Sequence, residues 1–129
     1  MMSDAIILLA HGARDPAWAR PIEAIAARLR DLVPETPVEL AFLELMAPDI
    51  ATAVELLVAE GARRLRVVPV FLGQAGHVNR DLPARIDAIR EKLAATHDDI
   101  LIELDLAIGE QPEVIEAIAA CISQRHGPR

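Results

Sequence analysis

Four short apolar runs alternate along this chain with four stretches in which apolar residues recur at helical spacing, and few folds satisfy that order. The runs are Ala5–Ala10, Val38–Leu43, Leu65–Leu72 and Ile100–Ala107. The first and third are apolar almost throughout, as expected of central parallel strands covered on both faces. The second and fourth carry Glu39, Glu103 and Asp105, which places them at sheet edges. Between the runs lie Ile22, Ile25, Leu29 and Leu32, then Ile50, Val54 and Leu57, then Leu82, Ile86, Ile89 and Leu93, then Val114, Ile115, Ile118 and Ile122. Each set has the period of an amphipathic helix.

Prolines punctuate the pattern. Pro48, Pro83 and Pro112 stand where helical patterns begin, the place where a missing N–H costs least. Asp15-Pro16 is placed to open the first helix, and Pro21 then requires a later start or a kink. Pro69 inside the third run conflicts with a central strand, which would lose a ladder donor. The apolar flanks of Pro69 keep the segment a strand.

The order βαβαβαβα specifies an α/β fold: a single open four-stranded parallel sheet with right-handed crossovers and helices on both faces. At 129 residues the chain reads as one domain spanning 1–129, with its core at about 5–122 and a short polar C-terminal tail. The expected strand order is 2-1-3-4. Its reversal lies between strands one and three, and ligands of such sheets bind beyond the carboxyl ends at that switch point.

Composition narrows the function. Hydrophobic residues make up 53% of the chain, enough for a packed core, whereas aromatics are 2%, limited to Trp18, Phe42 and Phe71. Single-stranded nucleic-acid binding, which depends on aromatic platforms, is therefore disfavoured. A formal net charge of −7 repels phosphate backbones and anionic lipid. Met1–Asp4 is too short and too poor in basic residues for a signal peptide. No apolar run reaches membrane-spanning length, and the single cysteine, Cys121, has no internal disulfide partner. A cytoplasmic protein is expected. Cys121 lies within the apolar stripe of the fourth helix and reads as a small core residue.

Two of the four histidines fall at the turns that flank the switch point. His11 follows strand one in Ala10-His11-Gly12-Ala13-Arg14-Asp15-Pro16, and His77 follows strand three in Gly76-His77-Val78-Asn79-Arg80-Asp81-Leu82-Pro83. Glu44 ends strand two, midway between them in sequence. Imidazole and carboxylate suit iron, cobalt or nickel, and neutral histidine also accepts a proton. A single histidine after a strand is most often a turn residue; two beside glycines at one predicted switch point indicate function. Glu44 alone is less specific. Arg14 and Arg80 each lie three residues beyond a histidine and either supply local positive charge or are solvated loop residues. His97, late in the third helix, and His126, in the tail, receive no role. A Gly-rich phosphate loop, a Gly-x-Ser-x-Gly elbow and a Cys-x-x-Cys pair are all absent from the sequence.

Taken together, Leu8-Leu9-Ala10-His11-Gly12-Ala13-Arg14-Asp15-Pro16, Phe42-Leu43-Glu44 before Pro48, Val68-Pro69-Val70-Phe71-Leu72, Gly76-His77 and Asp81-Leu82-Pro83 resemble the small sirohydrochlorin chelatases, which are class II metal chelatases. The likeness runs in order from about Ala5 to Ile122. It implies a chelatase-like fold and insertion of cobalt or iron into sirohydrochlorin, for siroheme or cobalamin. His11 and His77 would then be metal ligands and proton acceptors, and Glu44 a supporting catalytic carboxylate. It also implies a symmetric homodimer whose two clefts face each other. Ala13 stands where serine is common, and the His-rich insertion of some archaeal members is missing.

The chemistry expected of such a site needs no cofactor beyond the substrate metal. Insertion strips water from the ion, removes two pyrrole protons and bends the macrocycle, and an imidazole pair can hold the metal and take up protons near neutral pH. The many substrate carboxylates call for a cationic rim, for which Arg14, Arg80 and Arg85 are the candidates, aided by helix N-termini. The alternative is a phosphocarrier domain of the sugar phosphotransferase system, which would phosphorylate His11 and leave His77 and Glu44 unexplained. A non-catalytic metal or tetrapyrrole carrier would use the same residues without turnover. A histidine phosphatase fits less well, because Ala10 stands where an arginine is needed.

Overall fold

Strand β1 (Asp4–Ala10) lies inside a four-stranded sheet, hydrogen-bonded on one side to β2 (Val38–Phe42) and on the other to β3 (Arg64–Pro69). The short strand β4 (Leu101–Leu104) pairs with β3, all pairs are parallel, and the order is β2-β1-β3-β4. This computed structural model describes residues 3–73 and 77–126, of which 77–80 and 126 are described by backbone alone. Four helices follow the strands in turn: α1 (Arg20–Leu32), α2 (Ile50–Ala59), α3 (His77–Ala94) and α4 (Pro112–Ser123). The expected topology is the observed one. None of the described helices is long and apolar enough to cross a membrane.

Alternation along the strands divides the core into two layers. Ile7 and Leu9 of β1, Leu65 and Val67 of β3 and Ile102 of β4 face α2 and α3, meeting Ile50, Val54, Leu57, Leu82 and Ile86. Leu8 of β1, Val38 and Phe42 of β2 and Val68 of β3 face α1, meeting Ile22 and Ala26. Asp49 caps α2 by accepting the Thr52 N–H at 2.8 Å. Arg30 of α1 donates to the Val38 carbonyl at 2.7 Å and ties that helix to the edge strand.

The prolines resolve individually. Asp15 caps a single 3-10 turn over Pro16–Ala19, and α1 begins only at Arg20, so Pro21 sits harmlessly in its first turn. Pro112 likewise occupies the first turn of α4. Pro48 precedes Asp49, the residue before α2. Pro69 is the last residue of β3. Because Val70 next to it donates to Leu9 of β1 at 2.8 Å, strand alternation would aim a donor at position 69 toward β4. That strand's register ends at the pair Val67 and Leu104, so the lost bond falls at the end of the β3–β4 pairing. Pro83 does not begin its helix: α3 starts at His77 and contains Pro83. Val78 lies four residues before Leu82 and carries the helical period back to that start, but a proline read as a first-turn residue draws the expected start later. For the same helix, His97 lies three residues beyond its end rather than within it.

The fourth helix departs most from expectation. None of its residues is buried, and Cys121 is exposed rather than part of the core. The reason lies on the sheet face that α1 leaves uncovered. There Arg64 pairs with Glu103 at 2.9 Å and Arg66 with Asp105 at 2.6 Å, which makes a charged surface that cannot seat an apolar helix.

Candidate active site

The turns leaving β1 and β2 are bonded to each other beside the switch point. Leu43 N–H donates to the Ala10 carbonyl at 3.0 Å, and Glu44 N–H donates to the His11 carbonyl at 3.1 Å, so the β1 ladder continues one step past the strand ends. Gly12 then turns the chain away with φ +91°, and a Cβ at that position would overlap the Glu44 carbonyl oxygen. Only glycine meets both demands. The sequence His11-Gly12 is thus what lets Glu44 lie against the histidine's own backbone.

His11 is exposed, and its imidazole stacks on Phe71 with ring centroids 4.2 Å apart and planes inclined by 24°. Phe71 belongs to the core layer packed by α2 and α3, so the platform beneath the imidazole is held by the interior. Gly109 N–H donates to the Phe71 carbonyl at 2.9 Å, and a Cβ on Gly109 would overlap Leu72. The turn after β4 therefore clamps the turn that carries Phe71.

The expected site residues divide as follows. His11 and Glu44 come together through their backbones, and both side chains reach solvent. His77 forms the first residue of α3, on the turn after β3, and its side chain lies outside the described residues, as does that of Arg80. Arg14 is exposed and lines a groove of about 520 Å³ with Pro16, Phe42, Leu45 and Met46. Arg85 of α3 donates to the Leu43 carbonyl at 3.3 Å, which brings its guanidinium to the Glu44 turn with one donor already committed. Among the described residues no three His, Cys, Asp or Glu side chains gather closely enough to hold a metal ion.

Sequence reasoning missed the apolar rim. Trp18, Leu45, Leu72 and Leu106 follow β1, β2, β3 and β4 respectively, and each is at least 61% exposed. One large exposed apolar side chain thus follows each strand at the carboxyl edge of the sheet, where it can meet a flat, apolar-faced ligand. Leu45 does so at φ +65°, a region that costs a leucine about 1 kcal/mol or more. The signal for Phe71 was present: it is one of only three aromatic residues, and it stands at the end of a central strand.

An open four-stranded parallel sheet of order 2-1-3-4 with four helices is a chelatase-like α/β fold. A CbiX cobalamin (vitamin B12) biosynthesis protein of Marinobacter aquaeolei VT8 superposes with a TM-score of 0.82 at 29% identity, over 95% of this chain and 96% of that one. SirB of Bacillus subtilis, solved with Fe3+, gives 0.79 at 28% identity, over 98% of this chain and 49% of its own. The chain belongs to the CbiX family, whose model matches residues 5–125. The sirohydrochlorin cobaltochelatase of Methanococcus aeolicus is 32% identical over 80 residues, which are 62% of this chain and 56% of that protein. The sirohydrochlorin ferrochelatase of Bacillus subtilis is 30% identical over 117 residues, 91% of this chain and 43% of that one. The matched region thus spans about half the length of these curated relatives.

Proposed function

We propose that this chain inserts a divalent metal ion, cobalt or iron, into sirohydrochlorin, with His11 and His77 as the metal's ligands on entry. The observation that carries the reading is the pairing of CbiX family membership with an exposed imidazole at the switch point, seated on Phe71 and joined to the Glu44 turn. The metal is a substrate, delivered and released in the product. His11 holds the partly dehydrated ion while water leaves, and Glu44 offers an oxygen donor or a proton acceptor on the same rim. Two pyrrole N–H bonds break as the four ring nitrogens bind the ion, so charge balances with two protons released, and a neutral imidazole can receive one of them.

The rim supports the same reading. Trp18, Leu45, Leu72 and Leu106 present apolar area to a macrocycle face, while Arg14, Arg80 and Arg85 are placed on or beside these turns to meet its carboxylates. In this reading the protein works in the cytoplasm, as two copies facing across the site, for siroheme or cobalamin synthesis. The test is direct. Purified protein is mixed with sirohydrochlorin and Co2+, Fe2+ or Ni2+ in turn, and the absorbance of the metallated product is followed. Acceleration above the protein-free rate with at least one metal is expected. Stoichiometric binding of metal or macrocycle without acceleration would instead make the protein a carrier.

A further inference from the structure

The turn after β2 holds a leucine in a backbone conformation that leucine rarely adopts. Met46 N–H donates to the Glu44 carbonyl at 2.8 Å, a hydrogen bond spanning two residues, and Leu45 between them has φ +65°. That combination is the γ-turn of positive φ, rare and strained for any residue that carries a Cβ. The neighbours hold the turn in place. Glu44 N–H donates to the His11 carbonyl at 3.1 Å and Phe42 N–H to the Pro48 carbonyl at 2.9 Å, while Met46 packs against the core layer beneath α1. The path of the turn is thus fastened on both sides of position 45.

What that path leaves unexplained is the leucine. Glycine meets φ +65° without steric cost, and Leu45 regains little by burial, because it is 61% exposed. A residue that the free chain neither buries nor accommodates cheaply suits contact with something the free chain lacks. The surroundings indicate the chemistry of that contact. Glu44, whose backbone rests on His11, comes immediately before Leu45, and Arg14 of the β1 turn lines the same groove of about 520 Å³. An apolar side chain beside the site's carboxylate, sharing a groove with a cation, fits a ring face whose edge bears carboxylates.

We infer that Leu45 is a specificity-determining contact for the macrocycle, presented to its ring face by the strained turn Glu44–Met46, and that the strain is retained for binding rather than for folding. The assignment rests on the chelatase reading and singles out one of the four rim residues; none of the other three has a positive φ. Leu45→Gly and Leu45→Met test it, with metal-free sirohydrochlorin titrated against the full chain and followed by the absorbance of the macrocycle. In Leu45→Gly the affinity is expected to fall about tenfold, the loss from one partly covered leucine. Its melting temperature stays at or above that of wild type, since relief at φ +65° offsets the greater chain entropy of glycine. Leu45→Met keeps the apolar area and is expected within about threefold of wild-type affinity.

Wild-type affinity in Leu45→Gly overturns the inference, and so does an affinity in Leu45→Met as low as in Leu45→Gly. A Leu45→Gly chain that melts well below wild type, or without cooperativity, also overturns it, because the leucine would then serve the fold. A halved mass of Leu45→Gly in sedimentation velocity would place a second copy over Leu45, with the same consequence. Binding is read without turnover. A wild type that binds the macrocycle but never metallates it therefore sinks only the chelatase reading, whereas Leu45→Gly metallating with wild-type affinity sinks only this contact. A wild type that binds no macrocycle sinks both.

Discussion

The imidazole of His11 lies on the phenyl ring of Phe71, centroids 4.2 Å apart, and this contact joins an exposed functional residue to the buried core. Stacking of this kind is worth about 0.5–1.5 kcal/mol beyond the area it buries, enough to hold an otherwise free ring in one orientation. Phe71→Leu retains most of the volume and removes the platform. Stability is expected to fall by about 1 kcal/mol and turnover by about tenfold, the equivalent of losing one such contact from the reacting geometry. Turnover equal to wild type would show that His11 needs no platform.

His11→Ala and His77→Ala are each expected to abolish most metal insertion. Because His11→Ala also removes the stack on Phe71, the variant is expected to lose about 0.5–1.5 kcal/mol of stability while still folding cooperatively. A phosphocarrier would lose function only with His11, so full activity in His77→Ala excludes the two-histidine mechanism.

Gly12→Ala tests the backbone that joins His11 to Glu44. The new Cβ meets an unfavourable φ of +91° and the Glu44 carbonyl oxygen together, which predicts a loss of at least about 1–2 kcal/mol. The β2 turn must move away to relieve the overlap, so turnover falls with stability. A denaturation midpoint matching wild type would contradict the tight approach.

Glu44→Gln keeps shape and removes charge. A carboxylate that assists metal entry or accepts pyrrole protons acts mainly in the transition state, so kcat is expected to fall more than macrocycle affinity. Stability should change little, because the Glu44 side chain is exposed. Steady-state kinetics and thermal melting on one preparation separate these outcomes, and an unaltered kcat removes Glu44 from the chemistry.

The cap of α2 gives a pH dependence. Hydrogen bonds from Thr52, chiefly from its backbone N–H, hold the Asp49 carboxyl below its ordinary value of 3.8. A depressed carboxyl contributes its full stabilisation above the ordinary value and loses it as pH falls through the lower, folded-state value. Asp49→Ala is expected to cost about 1 kcal/mol at neutral pH. The gap between variant and wild type should close below about pH 3.8, as the wild-type carboxyl becomes protonated. A gap that persists undiminished at low pH would assign the loss to something other than charge.

Alternating apolar runs and helical periods were sufficient for the topology, because burial on two faces of a parallel sheet constrains nearly every position of β1 and β3. Local residue chemistry also marked the turns: His11-Gly12 and Glu44 are legible because a turn's backbone demands fall on single residues. The His11–Phe71 stack and the four-residue apolar rim were not legible, since they join segments far apart in sequence whose individual residues look like ordinary strand ends. The start of α3 escaped for a different reason: Val78 and Leu82 already carry its period, but Pro83 marked a plausible and later beginning. Most instructive is α4. Its stripe is as periodic as that of a core helix, and by sequence alone Cys121, Ile118 and Ile122 read as interior. Periodicity determines that a helix has an apolar face, but what covers that face depends on what stands opposite. Here the tertiary structure places charged pairs on the open sheet face and leaves the stripe exposed.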